Sequence, residues 1–168
     1  MLGILGGDDR CPIARSLDVL GEKWTLMIVR DALAGSTRFS AFQESLGVPR
    51  EVLAARLASL VESGVLERQS YKPASGRTRE EYVLTDAGRD LALVLLALGD
   101  WADRHRPASD PSRPAAMRFV DSATGLPVVP AVTTAETSTG TSTGTDRDTD
   151  TSGTPIPRDR IQATFIPS

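Results

Sequence analysis

Apolar residues return every three or four positions through residue 105, and glycine or proline interrupts them at intervals that suit short helices. Ile13, Leu17 and Leu20 follow Cys11-Pro12 on one stripe, which Gly21 ends. Over 22–34, Trp24, Met27, Ile28 and Leu33 are expected inside, with Leu26 and Val29 beside them, and Gly35 closes this second helix. A polar connector, 36–39, leads to a third helix carrying Phe39, Phe42 and Leu46. The fourth is expected over 49–63, with a proline at its start and Gly64 past its end. Leu53, Leu57, Leu60 and Val61 take one side of it, and Glu51, Ala55, Ala58 and Glu62 the other. The third and fourth helices have the form of a helix-turn-helix. By itself this stretch fits a surface helix of an all-α domain as well as it fits a DNA reader.

After Gly64 the period changes. Val65, Tyr71, Tyr82, Val83 and Leu84 flank a Pro, Ser and Gly cluster, which predicts a β-hairpin with Lys72, Arg77 and Arg79 around its tip. Thr85-Asp86 then supplies an N-cap and an acidic first turn for a long helix to about His105. Leu91, Val94, Leu95, Leu98 and Trp101 form one stripe of that helix, and Leu93, Leu96 and Ala97 lie on neighbouring faces. One small domain cannot cover so much apolar surface, and a second subunit is its natural cover. The same stripe, with Ile13 and Leu17 of the first helix, is the expected homodimer interface.

Beyond this helix the pattern weakens. Residues 107–132 read as a linker and a small hairpin around Thr124-Gly125, restricted to an edge by Pro127 and Pro130. Residues 133–155, rich in Thr, Ser, Gly and Asp, cannot bury enough apolar surface to order themselves and are expected to be disordered. Residues 156–168 alternate Ile161, Ala163 and Phe165 and suit a strand returning to that hairpin. The expected plan is a flexible 1–10, a helical and hairpin domain over 11–106, and a small β-rich appendage. The fold class is α+β and mainly helical.

Composition narrows the chemistry. A chain of 168 residues with 40% hydrophobic content supports one soluble domain with a real core. No apolar run reaches the roughly 20 residues of a membrane helix, and 1–10 lacks the basic start of a leader, so a cytoplasmic protein with no membrane partner is expected. A net charge of -3 gives no global pull towards nucleic acid, so DNA contact must rest on local placement of cations. One cysteine and one histidine cannot make a Cys/His zinc site, and no phosphate-binding glycine loop is present. Asp86 and Asp90 read as helix-start charges. No cofactor, metal or catalytic residue is expected, and the chain does not read as an enzyme.

Three helices, a hairpin with a cationic tip and a dimer helix follow one another as in a winged helix-turn-helix repressor. The residues then become specific: Cys11-Pro12, Lys23-Trp24, Arg38-Phe39, Arg56-Leu57 with Leu60, Gly64, and Tyr82 with Leu84-Thr85 and Gly88. Over residues 11–105 the chain resembles the HxlR family of bacterial transcriptional regulators. The resemblance implies a winged helix with N-terminal and C-terminal dimerisation helices, double-stranded operator DNA as partner, and repression as the usual outcome. A major groove accepts one α-helix, so Arg50, Glu51, Ala54 and Ala55 are the candidates for base edges; Arg50 is able to pair with guanine, and its plainer role is a solvated arginine. Arg56 has two roles open to it, a phosphate contact or an internal carboxylate partner. Arg38, Lys72, Arg77 and Arg79 suit phosphate contacts without base readout, or an ordinary solvated charge run. Family members often carry polar residues where this chain has Ala54 and Ala55, a departure that shifts weight to DNA shape.

Some HxlR-type regulators sense thiol oxidation at an N-terminal cysteine, which the resemblance carries onto Cys11. Its position at a helix start beside Arg10 and Arg15 favours a thiolate, and the plainer alternative is an inert residue at the dimer seam. The effector, oxidant or small molecule, is not named by the sequence. The competing function is a winged helix used for protein contacts without specific DNA binding, which the acidic net charge and the alanine-rich helix face both permit.

Overall fold

The computed structural model describes residues 10–72, 76, 78–110, 117–130 and 161–165. Helix α1 (Pro12–Leu20) starts at a proline that needs no amide donor there, with Cys11 extended before it. None of its residues is buried within the chain. Helix α2 (Thr25–Leu33) begins three residues later than the apolar pattern suggests, because Trp24 takes a left-handed conformation at φ 79° and residues 22–24 turn instead. Such a backbone at a bulky residue costs on the order of 1–3 kcal/mol. Packing of the half-buried indole against the core offsets it, and the Lys23 ammonium lies 5.1 Å above the ring. Met27 lies opposite the buried stripe of Thr25, Ile28, Val29, Ala32 and Leu33 and is 38% exposed, against the expectation that it points inward.

Helix α3 (Phe39–Leu46) ends at Gly47, whose φ of 59° turns the chain sharply enough to bring Val48 into the core. Helix α4 (Arg50–Glu62) follows after Pro49, which is its N-cap and not its first helical residue. Leu53, Leu57 and Leu60 of α4 are fully enclosed with Phe42, Ile28 and Val29, and Val61 is only half-buried at the edge of that cluster. Strands β1 (Leu66–Tyr71) and β2 (Arg79–Leu84) pair antiparallel, Leu66 opposite Leu84 and Tyr71 opposite Arg79. Together they are the wing. Of its tip cations, Arg77 lies outside the described residues.

Helix α5 (Asp86–His105) is the longest element among the described residues. The Thr85 hydroxyl caps it by accepting the Gly88 N–H at 3.1 Å and donates to the Gly64 carbonyl at 2.6 Å. Arg89 adds bonds to the Leu84 carbonyl and the Asp86 carboxylate, both 2.6 Å. Gly88 is buried where a Cβ would stand 2.2 Å from the Val65 carbonyl oxygen and 2.7 Å from Leu84 Cδ2. Only a residue without a side chain lets α5 start against the wing so closely.

In the appendage, β3 (Met117–Asp121) pairs antiparallel with β4 (Ile161–Phe165), Phe119 opposite Ala163. On the other edge of β3 the chain doubles back at Thr124-Gly125, with the Asp121 N–H bonded to the Leu126 carbonyl and the Val128 N–H to the Phe119 carbonyl, both at 2.9 Å. Phe119 and Ile161 join the same apolar cluster as Ala92 and Leu96 of α5, so the appendage extends the core of the helical domain. Residues 1–9 and the 133–155 segment lie outside the described residues.

The junction around Thr85 is open to a direct stability test. Gly88→Ala should lower unfolding free energy by about 1–3 kcal/mol through overpacking, and Thr85→Ala by about 1 kcal/mol through loss of the cap. Chemical denaturation measures both, and Thr85→Ala should leave the secondary structure seen by circular dichroism intact.

Candidate nucleic-acid interface

The side of α4 turned from the core carries Glu51, Val52, Ala54, Ala55, Ala58, Ser59 and Glu62, all exposed. This follows from Leu53, Leu57 and Leu60 fixing the opposite side. The face is smooth, since small side chains dominate its middle and the acids stand towards its two ends. Arg50, in the first turn, folds its guanidinium back over the Phe39 ring, 4.7 Å from the centroid. A stacked arginine keeps donors at its edges while its stem is held in place.

Arg56 lies 3.0 Å from Glu22 of the α1–α2 corner. Arg56 thus has a carboxylate within reach in its own chain, on a glutamate whose side chain is 48% exposed. The pair is partly exposed, so it contributes at most about 1 kcal/mol to stability. It nevertheless ties the middle of α4 to the corner that carries α1.

Beside α4, Arg38 holds the position before α3 and stacks over Tyr71 at the end of β1, 5.2 Å from the ring centroid. Arg68 of β1 lies 5.8 Å above Tyr82 of β2. Lys72 and Arg79 are exposed where the wing leaves and re-enters the described residues. The Tyr82 N–H donates to the Thr37 carbonyl at 2.7 Å, so β2 is fastened to the connector before α3. Arg38, Lys72 and Arg79 are thus gathered at one end of the wing, and Arg50 shares α3 with Arg38 through Phe39. Sequence reasoning missed Arg68 and Glu22. Burial along β1 does not alternate, with 67–70 all exposed, so period two gives no signal for Arg68, and no local signal links Glu22 to a residue on another helix.

The expected dimer residues divide in two. Ile13 at 68%, Leu17, Val94, Leu98 and Trp101 at 53% are exposed large hydrophobic residues, while Leu91 and Leu95 are half-buried against the core of their own chain. Trp101 also stacks with His105, ring centroids 5.5 Å apart. Cys11 is exposed, one residue before α1. No helix among the described residues is long and apolar enough to cross a membrane.

Known proteins match this arrangement. The HxlR-like helix-turn-helix family model matches residues 19–110. The HTH-type transcriptional regulator Rv3095 of Mycobacterium tuberculosis, itself uncharacterised, is 43% identical over 95 residues, which are 56% of this chain and 59% of Rv3095. This chain therefore matches somewhat over half the length of that relative. The crystal structure of PA1607, a candidate transcription factor, superposes with a TM-score of 0.64 at 40% identity and covers 84% of this chain and 97% of its own. That similarity extends past the family-matched span. The redox regulator HypR in its reduced form gives a TM-score of 0.52 at 28% identity, over 57% of this chain and 94% of its own. The α3–α4 turn, the wing and the capped α5 thus stand on a matched span of more than half the chain, which belongs to the HxlR-like helix-turn-helix family of transcriptional regulators.

Proposed function

We propose that the protein is a cytoplasmic, homodimeric repressor that reads palindromic operators through α4 and grips the flanking phosphates with its wing. The observation that carries this reading is the exposed, small-residue face of α4 with Arg38, Arg50, Lys72 and Arg79 around it. In a chain of net charge -3, cations placed beside an exposed helix supply the local attraction that the whole molecule lacks. Arg50 and Glu51 are the polar side chains able to meet base edges, and Ala54 and Ala55 suit thymine methyl groups. So sparse a face makes DNA shape and two-fold symmetry carry much of the specificity. Arg77 belongs with Arg79 in the wing by sequence. Arg56 acts here through Glu22, positioning α4.

The second subunit is supported by α1, none of whose residues is fully buried in its own chain and whose Ile13 and Leu17 are exposed, and by the Val94, Leu98 and Trp101 side of α5. An exposed apolar stripe on two helices suits a symmetric seam. Cys11 lies at the start of the same α1. With a single cysteine per chain, oxidation ends in an intersubunit disulfide, a mixed disulfide or a sulfenic acid. Each would change the seam and hence the spacing of the two α4 helices, which is the route proposed for release by oxidants.

Footprinting of the purified protein on DNA upstream of its own gene tests the reading. The expected result is a palindromic protected site with half-sites about one helical turn apart. Protection without symmetry, or a monomer at micromolar concentration, would contradict it. Replacing Arg77 and Arg79 by alanine should weaken binding to every sequence and lower the slope of log affinity against log salt by about 1 per lost phosphate contact. An unchanged slope removes the wing from the interface, and salt-insensitive or absent DNA binding by the native protein favours the protein-contact alternative. Diamide should release DNA from the native protein and leave the Cys11→Ser complex intact. Equal release from both removes the sensing role.

A further inference from the structure

The second half of α5 has two working sides. Val94, Leu98 and Trp101 form the stripe assigned above to a second copy, whereas Leu96, Gly99, Asp100 and Asp103 follow at helical spacing on the other side. That other side lines a cavity of about 940 Å³, whose remaining walls come chiefly from Met117 and Phe119 of β3, the 127–130 segment, Asp110 and Arg30 of α2. Its size lies near the upper end of small-molecule sites, roughly 300–1,000 Å³. The family-matched span ends at residue 110, so β3 and 127–130 are walls that the appendage adds.

The lining has a definite chemistry. Leu96 and Phe119 are buried and Val128 is half-buried, which gives an apolar body to the site. Gly99 lies in the interior of a 20-residue helix, where glycine costs about 1 kcal/mol relative to alanine. Nothing lies within 4 Å of the Cβ it lacks, so no neighbour requires glycine there, and a larger side chain would occupy open space along the cavity wall. Three acidic residues, Asp100, Asp103 and Asp110, and two arginines, Arg30 and Arg118, are among the residues that line the site. Arg30 directs Nε and Nη2 to Asp31 Oδ1 at 2.8 and 2.6 Å, and Arg118 stands on the exposed face of β3 opposite in alternation to buried Phe119. Asp100 is paired with Arg104 on the same helix, and Asp103 is exposed. The cavity also sits at the carbonyl end of α5, where the helix dipole favours positive charge.

We propose that this cavity binds a lipophilic cation, a small molecule whose ring body lies against Leu96, Phe119 and Val128 and whose onium centre faces Asp103 and the carbonyl end of α5. The site is separate from the DNA-contacting surface, and its occupancy can be measured without DNA.

Calorimetric titration of the full chain with tetraphenylphosphonium and with tetraphenylborate tests the proposal, because the two ions share size and shape and differ in the sign of charge. The phosphonium should bind once per chain, at least about tenfold tighter than the borate. Asp103→Asn, at an exposed position, should weaken phosphonium binding about fivefold and leave the melting temperature unchanged. Gly99→Phe should weaken phosphonium binding by placing a ring on the wall between Leu96 and Asp103. Equal affinity for the two ions, no phosphonium binding at millimolar concentration, or binding indifferent to Asp103→Asn would overturn the assignment. If Gly99→Phe does not fold, the charge comparison and the Asp103→Asn result still decide it.

Discussion

The structure turns on one packed junction, where the Val65 backbone, Thr85 and Gly88 meet. The Thr85 hydroxyl bonds to the residue that ends α4, its amide donates to the Val65 carbonyl at 3.2 Å, and it caps α5. Gly88 removes the one Cβ that would hold these segments apart. The end of α4, both strands of the wing and the start of α5 are therefore fixed within a few ångströms of each other. Interiors packed to this density transmit displacement and do not absorb it. A shift of α5 must move α4 or the wing with it.

Around that junction the helix faces have separate tasks. The inner side of α4 is committed to the core by Leu53, Leu57 and Leu60, which leaves an outer face of alanines with acids near its ends. In the proposed complex such a face distinguishes few bases by hydrogen bonding, so the placement of two such helices matters more than the chemistry of one. Glu22 extends the linkage, since its pairing with Arg56 joins α4 to the corner carrying α1. On α5, the Val94, Leu98 and Trp101 side and the Leu96, Gly99 and Asp103 side point apart. A single helix can thus serve a subunit seam and a cavity without competition between them.

Most of the helical domain was legible because its signals are local. Pro12, Gly35, Gly64 and Thr85 punctuate apolar repeats, and punctuation of this kind needs no tertiary contact to be read. The start of α2 was not legible: the apolar residues run unbroken through Trp24, and only packing of the indole holds that residue in a left-handed turn. Met27 was misplaced as well, since it lies opposite the buried stripe of α2. Gly88 stood out as a marker residue, yet its cause, the Val65 carbonyl 2.2 Å from an added Cβ, comes from a segment distant in sequence. The proposed DNA-contacting cations were visible as charges near a wing, but the stacking of Arg50 on Phe39 and of Arg38 on Tyr71 depends on how α3 meets the wing. The partnership of Arg56 with Glu22 was equally beyond the sequence, which offered a phosphate or a carboxylate without naming either.

In the proposed complex the junction presents two α4 helices, one from each subunit, to successive major-groove faces. A copper-phenanthroline nuclease attached at position 54, in an Ala54→Cys protein that also carries Cys11→Ser, reports directly where α4 lies. On the footprinted operator it should cut in two clusters, symmetric about the dyad and about one helical turn apart. Cutting spread evenly along the DNA, or absent while the protein remains bound, would contradict the account.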